Sequence, residues 1–253
     1  MKKENWVILP DLQWPYVCKK SVEAVLKYVK ENEWDGMLQL GDFMDWDWCS
    51  RWTAENKRRQ ENQRFMKEYE GANKFLDTLI EAARYKNKKA KIVIIEGNHD
   101  YRVENVMDKD PQYIGMLEME KNLRFKERGI IYHKYWTHRR PYQIGSALFV
   151  HGEYTNDNHA KKMSMTFDKS IFYGHTHDHQ LYSRVMRGGN KTIIGESLGC
   201  LCKYELQYVG HKPTRWQKGF AVFHFRPDGK FNHYFVDIMN HKFTAPGGKE
   251  YAA

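Results

Sequence analysis

Cysteine is scarce in this chain: four residues, Cys18, Cys49, Cys200 and Cys202, among 253. None has the paired CxxC spacing of a zinc ribbon, so free intracellular thiols are expected rather than a thiolate-built fold. Long apolar runs are missing too. No stretch approaches the ~20 residues that cross a bilayer as a helix. The lysine-bearing N-terminus offers only Val7-Ile8-Leu9 before Pro10-Asp11, which argues against an export signal and for a cytoplasmic protein. The first strand-like run is followed by PDLQWP where a dinucleotide fold would place GxGxxG, so that fold is set aside. Neither an internal repeat nor a flexible linker interrupts the sequence, and residues 1–253 are expected to form a single domain.

Charge and aromatic residues are plentiful. Charged residues make up 29% and aromatic residues 15%, a mixture typical of globular proteins and unlike disordered ones. Lys and Arg number 41 against 32 Asp and Glu, a formal charge of +9. That excess favours encounters with polyanions such as nucleic acid; an evenly spread basic surface explains it as well. The basic runs Lys57-Arg58-Arg59, Lys86 to Lys91 and His138-Arg139-Arg140 either flank a nucleic-acid groove or form solvated faces, and their placement decides.

Hydrophobic periodicity indicates an α/β protein. Trp6 to Leu9 reads as a strand, Val22, Val25, Leu26 and Val29 recur at helical spacing, and Met37 to Leu40 reads as a second strand. Residues 53 to 85 read as one long helix whose later half carries Phe65, Tyr69, Ala72, Leu76, Leu79 and Ala83. Ile92 to Ile95, four β-branched residues, suits a strand buried on both faces. Residues 101 to 128 read as helix and loop, and Ile130 to His133, Ala147 to Val150 and Ile171 to Tyr173 as short strands. Phe220 to Phe225 and Phe231 to Ile238 flank Arg226-Pro227-Asp228-Gly229 and read as a β-hairpin.

Five of these runs end in a residue able to bind a metal: Asp11, Asp42, Asn98, His151, and His175 with His177. Loops at the carboxyl ends of strands gather at one edge of an open α/β sheet, so residues distant in sequence can converge there. Carboxylate, amide oxygen and imidazole together suit hard or borderline divalent cations and need no thiolate.

The ordered blocks Asp11-Leu12-Gln13, Gly41-Asp42-Phe43-Met44-Asp45, Gly97-Asn98-His99-Asp100, His151-Gly152 and Gly174-His175-Thr176-His177 resemble the calcineurin-like metallophosphoesterase superfamily. The resemblance implies a four-layered α/β/β/α sandwich, two mixed β-sheets flanked by helices, with a dinuclear metal site at the C-terminal strand edge. It places the C-terminal hairpin in the second sheet. It implies that Asp42 bridges two metals, Asp11 and His177 completing the first and Asn98, His151 and His175 the second. Manganese is the expected ion, with Fe, Zn, Ni or Mg as alternatives. His99, oriented by Asp100, becomes the general acid or transition-state stabiliser, and in-line attack by a metal-bridging hydroxide splits a phosphate ester. Gln13 departs from the pattern: it stands where the family supplies a histidine to the first metal, and its neutral amide predicts a weaker, oxygen-rich site.

Around that set, Asp45 supports the ligands or caps a helix. Asn98, Arg102 and His179 are candidates to hold substrate phosphate. Trp46, Trp48 and Trp52 fill core beneath the long helix or stack on a base. His133, His138, His159, His211, His224, His233 and His241 are read as packed or surface residues. The expected function is hydrolysis of phosphodiesters of nucleic acid or nucleotides. The alternatives are a phosphomonoesterase, including a protein phosphatase, and a non-catalytic nucleic-acid-binding protein on the same fold. No membrane partner is expected, and oligomeric state is not legible.

Overall fold

Alternate residues of the apolar runs face two different cores, and this period of two builds the fold. In the computed structural model, which describes residues 2–50, 64–188, 191–205 and 214–253, β1 (Glu4–Leu9), β2 (Gly36–Gln39), β3 (Lys91–Ile95) and β4 (Ile130–His133) run parallel. On one face Val7, Leu9, Met37, Ile92 and Ile94 join a core roofed by α1 (Lys19–Glu31) and α2 (Phe65–Ala83). Val22, Val25 and Val29 come from α1, and Tyr69, Leu76 and Leu79 from α2, each set at helical spacing. On the other face Trp6, Ile8, Leu38, Val93 and Ile95 meet the second sheet.

Between β3 and β4 lie α3 (Arg102–Lys109), α4 (Met119–Asn122) and α5 (Phe125–Arg128), the helix and loop expected there. After β4 comes the short α6 (Tyr135–His138). The second sheet holds β5 (Tyr142–Ile144), β6 (Ala147–Phe149), β7 (Ser170–Tyr173), β8 (His179–Val185) and β9 (Thr192–Leu198), in the order β5-β6-β7-β9-β8. α7 (His159–Phe167) packs on β7, β8 and β9. The result is two large mixed sheets flanked by helices, α/β/β/α.

The C-terminal hairpin departs from expectation. β10 (Gly219–Phe225) and β11 (Phe231–Asp237) extend the first sheet, order β11-β10-β1-β2-β3-β4, with Trp6 opposite Phe223 and Ile8 opposite Ala221. The reason lies in β10, whose two faces are both apolar. Phe220 and Val222 enter the helix-roofed core while Ala221, Phe223 and Phe225 enter the core between the sheets. The free edge of β1 buries both faces at once. A last pair, β12 (Lys242–Thr244) and β13 (Glu250–Ala252), packs Phe243 and Tyr251 edge-to-face against Tyr28 of α1.

Trp46 is fully buried with its ring 4.8 Å from Tyr69 of α2, so it fills core as expected. Trp52, the basic run Lys57-Arg58-Arg59 and the early half of the expected long helix lie outside the described residues. Among the described residues, no helix is long and apolar enough to cross a membrane.

Candidate metal centre

The loops leaving β1, β2, β3, β6 and β7 open toward one edge, and the five ligand-bearing blocks are those loops. Asp11, Gln13, Asp42, His151 and His177 are at most 4% exposed. Gln13, Asp42, His175 and His177 all take left-handed backbone conformations, with φ of 47°, 53°, 69° and 61°. Such strain in non-glycine residues is held only by dense surroundings and collects at functional sites. Two glycines permit the crowding. A Cβ at Gly97 would overlap the amide and Oδ1 of Asp42, and one at Gly174 would overlap Oδ2 of Asp11.

Side chains converge in two groups. One ligand atom from each of Asp42, His151 and His175 lies within 4.8 Å of the others, and the same holds for Asp11, Asp42 and His177. Asp42 is common to both. In the first group, Nε2 of His177 is 3.2 Å from Oδ1 of Asp11 and 3.4 Å from Nε2 of Gln13. In the second, Nε2 of His151 lies 2.8 Å from Oδ1 of Asn98, 3.2 Å from Nδ1 of His175 and 3.3 Å from Oδ1 of Asp42. Nδ1 of His151 points at the carbonyl of Leu40, 3.0 Å away, so that its N–H donates there and Nε2 faces the cluster. The backbone N–H of His175 donates to Asp11 and that of His99 to Asp42, which fixes both carboxylates.

The electrostatics are those of a cation site. Burial opposes ionisation of Asp42, yet His151 and His99 hold its carboxyl far below the usual range. Burial likewise disfavours the imidazolium forms of His151 and His177, but Asp42 beside the first and Asp11 beside the second outweigh it and lift each to about 9. Burial and the neighbouring His151 push His175 down to about 3. Buried carboxylates therefore retain protons on two imidazoles where a divalent ion would supply the positive charge. This oxygen and nitrogen donor set fits divalent cations.

His99 sits beside this cluster, but its orienting partner is not Asp100. Nδ1 of His99 lies 2.6 Å from Oδ1 of the fully buried Asp45, and Nε2 lies 3.1 Å from Nη2 of Arg102. A guanidinium only donates, so Nε2 accepts and the imidazole proton lies on Nδ1 toward Asp45. Arg102 is held there by a 2.6 Å hydrogen bond to the carbonyl of Asp45. The Asp100 carboxylate instead turns back to accept the backbone N–H groups of Met44 and Gly97, both at 2.9 Å, and so ties the second loop to the third. Burial and Asp42 raise Asp100 to about 7.

His179 is not brought to the cluster. Its ring stacks on Phe235 at 3.7 Å and its Nε2 lies 2.9 Å from Glu196, which also holds His233 at 2.5 Å. Neighbours that sequence reasoning did not assign to the site do approach. The Trp136 ring lies 6.0 Å from both His151 and His175, and the Arg139 guanidinium sits 3.8 Å above that ring. Cys200 and Cys202 lie buried beside His177. The i,i+2 spacing of the thiols was a usable signal; Trp136 offered none.

Oxygen and nitrogen ligands gathered around one shared carboxylate at the strand edge of a four-layered α/β sandwich make a candidate centre for divalent cations. The chain belongs to the calcineurin-like phosphoesterase family, whose pattern matches residues 7–213. It is similar to the gene 54 proteins of Mycobacterium phages L5 and D29, 26% identical over 257 residues and 25% over 261, covering 95% of this chain and 96% of each relative. Among solved structures it is similar to vacuolar protein sorting 29 of Cryptosporidium parvum, with TM-score 0.49, 15% identity, and 100% of this chain and 97% of that one covered. For the Chaetomium thermophilum counterpart the values are 0.47, 12%, 99% and 93%.

Proposed function

We propose that this chain, acting as a single catalytic domain, hydrolyses phosphate esters, with phosphodiesters of nucleic acid or nucleotides as substrates. The observation that carries the reading is Asp42, one buried carboxylate shared by two ligand groups, because two cations about 3.5–4 Å apart require an anion between them. Asp11, Gln13 and His177 would hold one ion and Asn98, His151 and His175 the other, manganese being the ion best suited to so oxygen-rich a first group. When bound, such ions polarise phosphoryl oxygens and supply an activated water.

The chain's own groups do the rest. His99, with Nδ1 anchored to Asp45 and Nε2 turned toward Arg102 and Asp42, is the candidate partner of a leaving-group oxygen, to which Nε2 would donate after exchanging the Arg102 hydrogen bond for a proton. Arg102, only 18% exposed along its side chain, offers a fixed cation to a phosphoryl oxygen. Trp136 and Arg139 form a rim of stacked ring and guanidinium on the side of His151 and His175, a surface suited to a base or a second phosphate.

The test is hydrolysis of bis-p-nitrophenyl phosphate and p-nitrophenyl phosphate with Mn²⁺. Turnover of the diester should exceed that of the monoester, and Asp42→Ala should reduce both to background. Faster monoester hydrolysis would reassign the substrate class, and equal rates for wild type and Asp42→Ala would remove the catalytic reading.

A further inference from the structure

Cys200 and Cys202 flank Leu201 just beyond β9, each in an isolated β-bridge, Cys200 with Lys218 and Cys202 with Val17. Leu201 enters the helix-roofed core, while both thiols face a separate cluster walled by Tyr16 and Trp216. Both are 0% exposed and neither is in a disulfide. The third member is His177, whose Nδ1 lies 3.9 Å from Sγ of Cys202. One ligand atom from each of Cys200, Cys202 and His177 lies within 4.8 Å of the others.

We propose that Cys200, Cys202 and His177 form a second kind of metal site in this protein, one for a thiophilic divalent ion, zinc, that competes with the Asp11 and Asp42 group for His177. The spacing fits the ion. Zinc holds thiolate sulfur at about 2.3 Å and imidazole nitrogen at about 2.0–2.1 Å, which sets neighbouring S and N ligands roughly 3.5–3.9 Å apart. Two sulfurs and one nitrogen select zinc over manganese or magnesium, which favour oxygen. Each thiol gives up its proton to solvent as the ion binds.

Competition follows from the imidazole. Nδ1 of His177 faces the thiols and Nε2 faces Asp11. A neutral imidazole has one lone pair, so it serves one side at a time. Zinc at the thiols takes Nδ1 and leaves the proton on Nε2, where it donates to Asp11. With Gln13 in place of a second imidazole, the first group has no other histidine to draw on. The competition, though not the thiol site itself, rests on the phosphoesterase reading.

Metal-free full-length protein titrated with Co²⁺ should develop near-ultraviolet thiolate-to-cobalt absorption that one equivalent of Zn²⁺ displaces. The band should persist in Asp42→Asn and vanish in Cys200→Ser with Cys202→Ser. X-ray absorption at the zinc edge of the wild-type protein needs no variant and should show two sulfur neighbours at about 2.3 Å. A shell of oxygen and nitrogen alone, or a band that survives the double serine change, overturns the site. One equivalent of Zn²⁺ should also lower Mn²⁺-supported turnover of the wild type at least tenfold and that of the double serine variant less than twofold; equal inhibition overturns the competition. Absence of any turnover alongside an intact sulfur shell would mark failure of the phosphoesterase reading alone.

Discussion

Gln13 and His177 meet with their Nε2 atoms 3.4 Å apart, both buried. A half-turn of the amide presents Oε1 to the same point, so the residue is placed to act as a neutral ligand. Gln13→His should therefore tighten binding of the first ion by about tenfold or more, the scale on which even outer partners of a metal act. Isothermal titration of the metal-free variant with Mn²⁺ measures it, and unchanged affinity would show that position 13 holds no metal. The imidazoles make a second prediction. His151 and His177 at about 9 stand above their ordinary 6.5, so their contribution to stability is complete below about 6.5 and is lost as pH rises to about 9. His175, depressed to about 3, acts in the opposite sense and only below about 6.5. The melting temperature of chelated protein should thus fall between pH 7 and 9, whereas metal-loaded protein, whose ions replace those protons, should hold steady. A flat profile for the chelated form would contradict the proton-for-metal picture.

The strands that carry these residues are positioned by the core between the sheets. Phe223 of β10 is fully buried, with ring centroids 4.7 Å from Phe172 and 5.2 Å from Phe149, so one strand of the first sheet meets two of the second through a single side chain. Phe223→Ala should cost about 3–5 kcal/mol in thermal or urea unfolding. A cost under about 1 kcal/mol would mean that the two sheets do not depend on this contact. Elements whose pattern is local were legible beforehand. The helical spacing of Val22 to Val29 and the β-branched run Ile92 to Ile95 lie where periodicity puts them. The sheet that receives the C-terminal hairpin was not legible, because β10 is apolar on both faces and its sequence is silent about which free edge it will find.

At the scale of the whole molecule, two of the basic runs lie toward different edges of the sheets. Lys86 to Lys91 leads into the N-terminal end of β3, while the metal ligands leave the C-terminal ends of the parallel strands, about 16 Å away at ~3.3 Å per residue. Arg139 lies on the ligand side, over Trp136. For a single-stranded oligonucleotide substrate, Arg139→Glu should raise KM severalfold. Lys88→Glu with Lys89→Glu should leave it within about twofold at physiological salt, where screening acts over ~8 Å. The reverse pattern would place the substrate on the opposite edge.

Residues at the ends of apolar runs were determined by the sequence itself. Strand length, period and the ligand that follows each strand are local properties, and parallel strands bring their carboxyl ends to one edge whatever else happens. Tertiary structure decided how those ligands are served. Asp45 rather than Asp100 meets His99, and Glu196 with Phe235 captures His179. Trp136 reaches two imidazoles, and Cys200 and Cys202 gather at the far side of His177. Each of these contacts joins separate loops or strands, and which one forms depends on packing that no local pattern encodes.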